Sequence, residues 1–466
     1  MKGTQMVMNL KTHLRTTLLA GVLSATPYAI HQAVAQETKP ISDYVIEKYG
    51  QPPAVPNGEL SKELSEAVEK AFVISLENDR FASEEAMALQ LIAKSKDPRL
   101  TWFVADLLRF ARSAQLNAWL SEAASIMLGK NINPGNSWGD VTDHLIAWNI
   151  PQPPDYLRVK RAIFTNIIPG WENIFVEGKI DWRHVSWGGV LIDDRAYDTT
   201  DELCNCIPAA DNPEVSSAED ATWLEDDDIV FGIGINGEYR AYPRQIMEVR
   251  EMVNDTLGGR DLGIPYCTLC GAAQAYFTDN LEGGIERPIL RTSGLLIRSN
   301  KVMYDITSQS VFDTFLGTAV TGPLAKKNVK LKQAAVVTTD WATWKKAHPQ
   351  TTVLLEKYAL GRDPDFRNGR DANGPIFPVG DVDPRLPVHE DIIGMISASG
   401  TPIAFQRSKA FLALQKGEKI SIENVHLALD AGGIKAVDEN GKDLGSHQAF
   451  WFAWSQFHPT TILWNG

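Results

Sequence analysis

Four cysteines, Cys204, Cys206, Cys267 and Cys270, carry the most reactive side chains of this sequence. Cys267 and Cys270 lie in Ile264-Pro265-Tyr266-Cys267-Thr268-Leu269-Cys270-Gly271-Ala272-Ala273, a Cys-x-x-Cys-Gly turn between two apolar runs. Three chemistries fit that spacing. The first is metal binding: the turn has the shape of a zinc knuckle, whose glycine lets backbone amides approach the sulfurs, and Cys204-x-Cys206 could complete a four-thiolate site for zinc or another thiophilic metal. The second is redox work, in which the pair cycles between dithiol and disulfide. Against it, catalytic pairs usually sit at a helix N-terminus, whereas the run after Gly271 reads as a strand. The third is a structural role in one or two disulfides, although a Cys-x-Cys bridge would close a very small ring.

Glu251, Asp255 and Asp305 lie near this turn in sequence and could ligate a metal or act as a general base, or else cap turns. Asp363, Asp365 and Asp371 sit in a Gly-, Pro- and Asp-rich loop over 361–390 and offer oxygen ligands for calcium, but their spacing is not that of an EF-hand. His389, His426, His447 and His458 show no ligand spacing and read as surface or packing residues. Trp451, Trp454 and Phe457 recur at helical spacing and read as core. There is no phosphate-binding glycine loop, nucleophile elbow or basic patch.

The elements that must position these residues begin with a leader. Lys2, Lys11 and Arg15 precede the short apolar run Leu18–Ala25, and Ala33-Val34-Ala35 is a small-x-small cleavage site, so residues 1–35 read as a secretory signal. The run is far shorter than a bilayer span, and no later segment is long and apolar enough to supply one. The expectation is a periplasmic or secreted protein, in which disulfides are the default state of paired cysteines. Loss of the three positive charges of the leader takes the formal net charge from −13 to −16, which disfavours nucleic acid and anionic lipid as partners.

Residues 36–58, with Pro40, Pro52, Pro53 and Pro56, read as a linker. From Glu59 to about residue 180 the period is helical: Leu60, Leu64, Val68 and Phe72 share one face, Ser83 caps a helix that begins with Glu84 and Glu85, and Asp97-Pro98 opens another. The short helices and Asp-Pro turns fit either HEAT-like repeats or a plain helical packing domain, whose surface would suit a protein partner. Residues 181–466 read as β-rich. Asn236-Gly237 joins Ile229–Ile235 to Glu238–Tyr242 as a hairpin, and Val249–Asn254, Leu262–Tyr266, Ala272–Phe277, Gly294–Arg298 and Val302–Ile306 are further strands. The expected class is therefore α+β, a helical N-terminal domain followed by a β-rich domain.

The second domain contains an echo. Asp228–Ile233 with Asn236-Gly237 and Ala241-Tyr242 aligns without gaps on Asp391–Ile396 with Ser399-Gly400 and Ala404-Phe405, which suggests duplicated halves at 220–357 and 388–466. The cysteine turn occurs in the first only.

The chain resembles a bacterial family known as domain of unknown function 3179. The resemblance rests on Trp187-Gly188-Gly189-Val190, Ile207–Pro213, Ala241-Tyr242-Pro243, Val253-Asn254-Asp255, Tyr266–Gly271, Ser293–Leu296 running to Met303-Tyr304-Asp305, Asp383–Pro387 and Ala449–Trp454. It implies kinship and brings no established activity. Two departures stand out: Val249-Arg250-Glu251 replaces the family's usual Trp-His-Glu, and the segment holding Cys204 and Cys206 looks like an insertion. Residue types alone favour an exported binding or scaffold protein, with a thiol-redox or metal-dependent enzyme as the alternative.

Overall fold

Helix boundaries follow local capping chemistry. In the computed structural model, which describes residues 42–199, 204–355 and 374–466, Ser61 accepts from the Leu64 amide ahead of Lys62–Glu69, and Asp97 accepts from the Arg99 amide ahead of the short 3-10 turn Pro98–Leu100. Gly129, at φ 64°, ends Ala114–Leu128 in the left-handed conformation that glycine tolerates best. Ser83 is not the cap: the helix Ser83–Ser95 starts at that residue, and Glu85 reaches back to the Ala82 amide at 2.8 Å. The leader at 1–35 and Asp363, Asp365 and Asp371 lie outside the described residues. Part of the expected linker is ordered, since Asp43–Tyr49 is helical and the Tyr49 hydroxyl donates to the Gly380 carbonyl.

The expected division into a HEAT-like helical domain and a separate β-rich domain is overturned. Residues 41–466 form one compact unit. Phe72, Phe103, Leu120 and Ile163 of the helices share one apolar cluster with Val185, Leu295, Val302 and Val311 of the strands. Trp171 Nε1 donates to the Ser293 carbonyl at 2.8 Å, inside that cluster. The helices pack mainly on one another, and the cluster they share with these strands is what keeps them from standing as a separate domain. Among the described residues, the rest is five small sheets in a propeller-like arrangement.

Two of those sheets share a topology. In the first, the hairpin Ile229–Ile235/Glu238–Pro243 is flanked by Val337–Asp340, antiparallel, and Thr352–Leu354, parallel. In the second, Asp391–Ile396/Pro402–Gln406 is flanked in the same senses by His447–Phe450 and Ile462–Trp464. Each closes with a tryptophan helix, Trp341–Ala347 or Trp451–Phe457. Trp344 Nε1 donates to Thr351 Oγ1 at 3.0 Å, and Trp454 Nε1 to Thr461 Oγ1 at 2.8 Å. Each ring lies against a glycine of its own hairpin, Gly232 or Gly394, where a Cβ would collide with it.

Between its hairpin and its tryptophan helix, the first unit inserts the strands that carry the cysteine turn. Arg244–Arg250 is a helix, so the strand expected over Val249–Asn254 begins only at Met252. Glu251 ends that helix at φ 50°, and this sharp reversal starts Met252–Leu257, which pairs with Arg260–Cys267. Leu290–Ile297 and Asn300–Asp305 form the neighbouring hairpin. Asn254 ties the two sheets together, donating to Asp211 Oδ1 and the Leu290 carbonyl and accepting from the Leu290 amide.

Candidate functional site

Cys267 is the last residue of Arg260–Cys267, and Ala272–Ala273 folds back on that strand, with Tyr266 opposite Ala273 and Cys267 opposite Ala272. The Cys270 amide donates to the Cys267 carbonyl at 3.2 Å, which closes the turn and turns both sulfurs to one side. Gly271, at φ 59°, makes the reversal beneath the ring of Phe450. Both cysteines are buried, and neither is in a disulfide.

The opposite wall is the turn into Asn300–Asp305. The Ser299 carbonyl lies 3.7 Å from Cys267 Sγ and 3.5 Å from Cys270 Sγ, and Asn300 Oδ1 lies 3.6 Å from Cys270 Sγ. Lys301 follows. Its ammonium donates to Glu251 Oε2 at 2.8 Å and to the Glu251 carbonyl at 2.6 Å, with both side chains buried. Thr268 Oγ1 completes the ring by donating to Glu251 Oε1 at 3.3 Å.

Burial pushes the Cys267 thiol up, and Glu251 adds to that push. The Cys270 hydrogen bond, the Lys301 ammonium and the Lys301 backbone amide outweigh both, and Cys267 titrates below its ordinary value. The depression thus comes first from Cys270 in the same turn and then from Lys301 on a neighbouring strand, with no helix N-terminus involved. Cys267, Thr268, Glu251 and Lys301 line a cleft of about 220 Å³ whose remaining walls are mostly apolar, among them Ile207 and Leu295. Cys270 is fully buried and lies behind Cys267.

Of the three acids near the turn in sequence, the structure brings only Glu251 to it. Asp255 binds Arg240 Nη1 at 2.5 Å and the Tyr242 hydroxyl at 2.7 Å. Asp305 accepts from the amides of Ile289 and Ser308 and so fixes a turn. Lys301 was not anticipated. Its signal is a lone lysine inside a run, Asn300–Asp305, in which every residue is buried. Arg250, where the resemblance leads one to expect histidine, is 1% exposed. His447 and His458 are core residues and not surface ones.

Cys204 and Cys206 lie at disulfide distance from each other, with Cα atoms 5.1 Å apart, despite the small ring that pairing closes. They do not complete a four-thiolate site with Cys267 and Cys270. Among the described residues, only Asp193, Cys204 and Cys206 bring three metal-ligating side chains within 4.8 Å of one another. That triad would have to be reduced to supply thiolates. Asp193 is also engaged, by Arg195 at 2.7 Å and by the Ala209 amide. Around Cys267 and Cys270 the additional donors are the Ser299 carbonyl and Asn300 Oδ1, a weaker set for zinc than further sulfur or imidazole. No helix among the described residues is long and apolar enough to cross a membrane.

Fold and site together define a β-rich protein, braced by helices, with a buried dithiol opening on a small apolar cleft. The family model described as "Protein of unknown function (DUF3179)" matches residues 204–442, and the chain belongs to that family. The matched span contains the cysteine turn, Glu251 and Lys301; Trp187–Val190 and Ala449–Trp454 fall outside it. No curated protein and no solved structure gives a significant match to the chain.

Proposed function

We propose that the protein is a thiol–disulfide oxidoreductase working through Cys267 and Cys270, the alternative that residue types alone ranked behind a binding or scaffold role. The observation that carries this reading is the asymmetry of the pair. Cys267 faces the cleft with its thiol depressed by Cys270 and Lys301, while Cys270 sits behind it and out of reach of a bulky reactant. This is the division of labour between an attacking and a resolving cysteine.

The Cys267 thiolate attacks one sulfur of a substrate disulfide. The substrate S–S bond breaks, a mixed disulfide with Cys267 forms, and the first substrate thiolate leaves and takes up a proton. Cys270 then loses its proton and attacks Cys267 Sγ, which breaks the mixed disulfide and releases the second thiol. Two electrons and two protons pass from the dithiol to the substrate, and an external dithiol returns the pair to its reduced state. Lys301 stabilises the thiolate, and Glu251 holds Lys301 in place through two hydrogen bonds. An exported location, expected from residues 1–35, would supply substrate disulfides.

The test is a trap. With Cys270→Ser, the mixed disulfide cannot be resolved, so a stable adduct on Cys267 should accumulate and be mapped by peptide mass. Cys267→Ser should give none. An adduct that forms only through Cys270, or in neither variant, would remove the reading.

A further inference from the structure

Among the described residues, a cation beside the cleft, Arg109, has no carboxylate partner. Arg109 ends the helix Thr101–Leu108, and its Nε donates to the Trp187 carbonyl at 2.7 Å. The guanidinium lies 4.4 Å from the Trp138 ring centre, 5.2 Å from that of Phe377 and 5.4 Å from that of Trp187. Among the described residues no carboxylate pairs with it, and burial alone moves its pKa, downward. Four other covered guanidinium groups are matched by carboxylates, Arg183 by Asp181, Arg195 by Asp193, Arg240 by Asp255 and Arg291 by Asp211, whereas Arg298 resembles Arg109 in donating to a carbonyl, that of Val379. Aromatic faces compensate part of the cost of covering a cation, but they leave its Nη N–H donors without an acceptor among the described residues.

The position of those donors matters because the same loop walls the cleft. Phe377, which packs on the guanidinium, also lines the cleft beside Cys267, as do Gly188 and Val190 on either side of Gly189. Gly189 puts no side chain over Nη2, which lies 3.6 Å from where its Cβ would be. The apolar wall formed by Val190, Ile207, Leu295 and Leu296 belongs to the same cleft. At about 220 Å³ the space falls below the roughly 300 Å³ at which drug-sized sites begin, so it suits a small molecule.

Building on the exchange reading above, we infer that Arg109 is the carboxylate anchor of the substrate site, and that the preferred substrate is a small disulfide-bearing carboxylic acid with an apolar body. The apolar body lies on the Leu295–Leu296 wall, one sulfur meets Cys267, and the carboxylate meets the in-plane donors of Arg109. Planar, bidentate recognition of a carboxylate is what a guanidinium whose Nη donors are unused can give. Arg109 is a binding residue in this scheme and takes no part in sulfur exchange.

The experiment compares two aromatic disulfides on the reduced full-length protein: dithiobis(nitrobenzoate), which carries carboxylates, and dithiodipyridine, which is uncharged. Arg109→Gln should slow the first reaction at least about tenfold and leave the second within about twofold, the loss expected for one charge-assisted pair. An equal change in both rates, or no change in either, overturns the anchor. Wild-type protein inert to both reagents overturns the exchange reading itself, so the two failures are distinguishable. Should Arg109→Gln not fold, protection of the wild type serves instead. Benzoate should slow the reaction of Cys267 with dithiodipyridine and benzamide should not; equal protection by both, or none by either, overturns the anchor.

Discussion

Lys301 holds Glu251 twice, through the carboxylate at 2.8 Å and the main-chain carbonyl at 2.6 Å, and so ties the reversal before Met252–Leu257 to the turn that faces both cysteines. This one pair sets the shape of the cleft and the charge beside Cys267. Removing the lysine should therefore alter both. In Lys301→Met the Cys267 thiol loses a stabilising cation, so the pH profile of its alkylation should move to higher pH. Because Glu251 stays buried without the Lys301 counter-charge, the same variant should lose about 3 kcal/mol in chemical denaturation. An unmoved alkylation profile would show that the ammonium does not act on Cys267.

Asp255 provides the contrast. It is closer to the cysteine turn in sequence than Glu251, yet its partners are Arg240 and Tyr242. Asp255→Asn should destabilise the fold by about 3 kcal/mol, by leaving Arg240 partly buried without its counter-charge, while the alkylation profile of Cys267 stays in place. A profile that shifts with Asp255→Asn would return this acid to the site.

These two acids show what the sequence could and could not convey. The cysteine turn, the Asn236-Gly237 hairpin and the Asp97-Pro98 start are legible because local chemistry decides them. Glu251 and Asp255 are both near the turn along the chain, and only pairing register separates them: Glu251 ends a helix at the cleft, while Asp255 lies within a strand that leads away from it. Lys301 arrives from a different sheet, so no spacing rule could have found it. The helical domain failed for a related reason. Helical periodicity reports that Phe72 and Phe103 face something apolar, but it cannot say that the cluster they join extends to Val185 and Leu295 of a sheet.

The twofold repeat makes its own prediction. Gly232 and Gly394 are equivalent, each in contact with the tryptophan of its own unit. Gly394→Ala should force the Trp454 ring outward and cost about 2 kcal/mol, as overpacking typically does, and Gly232→Ala should cost a similar amount through Trp344. Denaturant midpoints measure both. A neutral effect at either glycine would mean that its tryptophan can yield, and that the two units are not packed alike.

Acid should unfold the protein through buried histidines. Burial holds His447 down at about 3 and His458 at about 4, with His458 acting further on His447 and Lys330 on His458. Both folded values lie below the unfolded value of about 6.5. The unfolded chain therefore binds protons that the folded chain refuses, and this stability is present above about pH 6.5 and lost as pH falls toward 3–4. Asp313, raised to about 6 by burial, works in the opposite sense between its unfolded value near 4 and pH 6, so the net loss should be gradual at first. His447→Gln should move the acid midpoint to lower pH in a circular-dichroism titration. A midpoint unchanged by this substitution would place the acid sensitivity elsewhere.

The central claim is that Cys267 and Cys270 form a working redox pair, and equilibration of the full-length protein in glutathione buffers of graded potential tests it most directly, with both cysteine pairs quantified by differential alkylation and peptide mass. The account predicts one reversible two-electron transition between the Cys267/Cys270 dithiol and its disulfide. A pair that stays reduced across the whole range, or that oxidises only by forming adducts on separate chains, would contradict it.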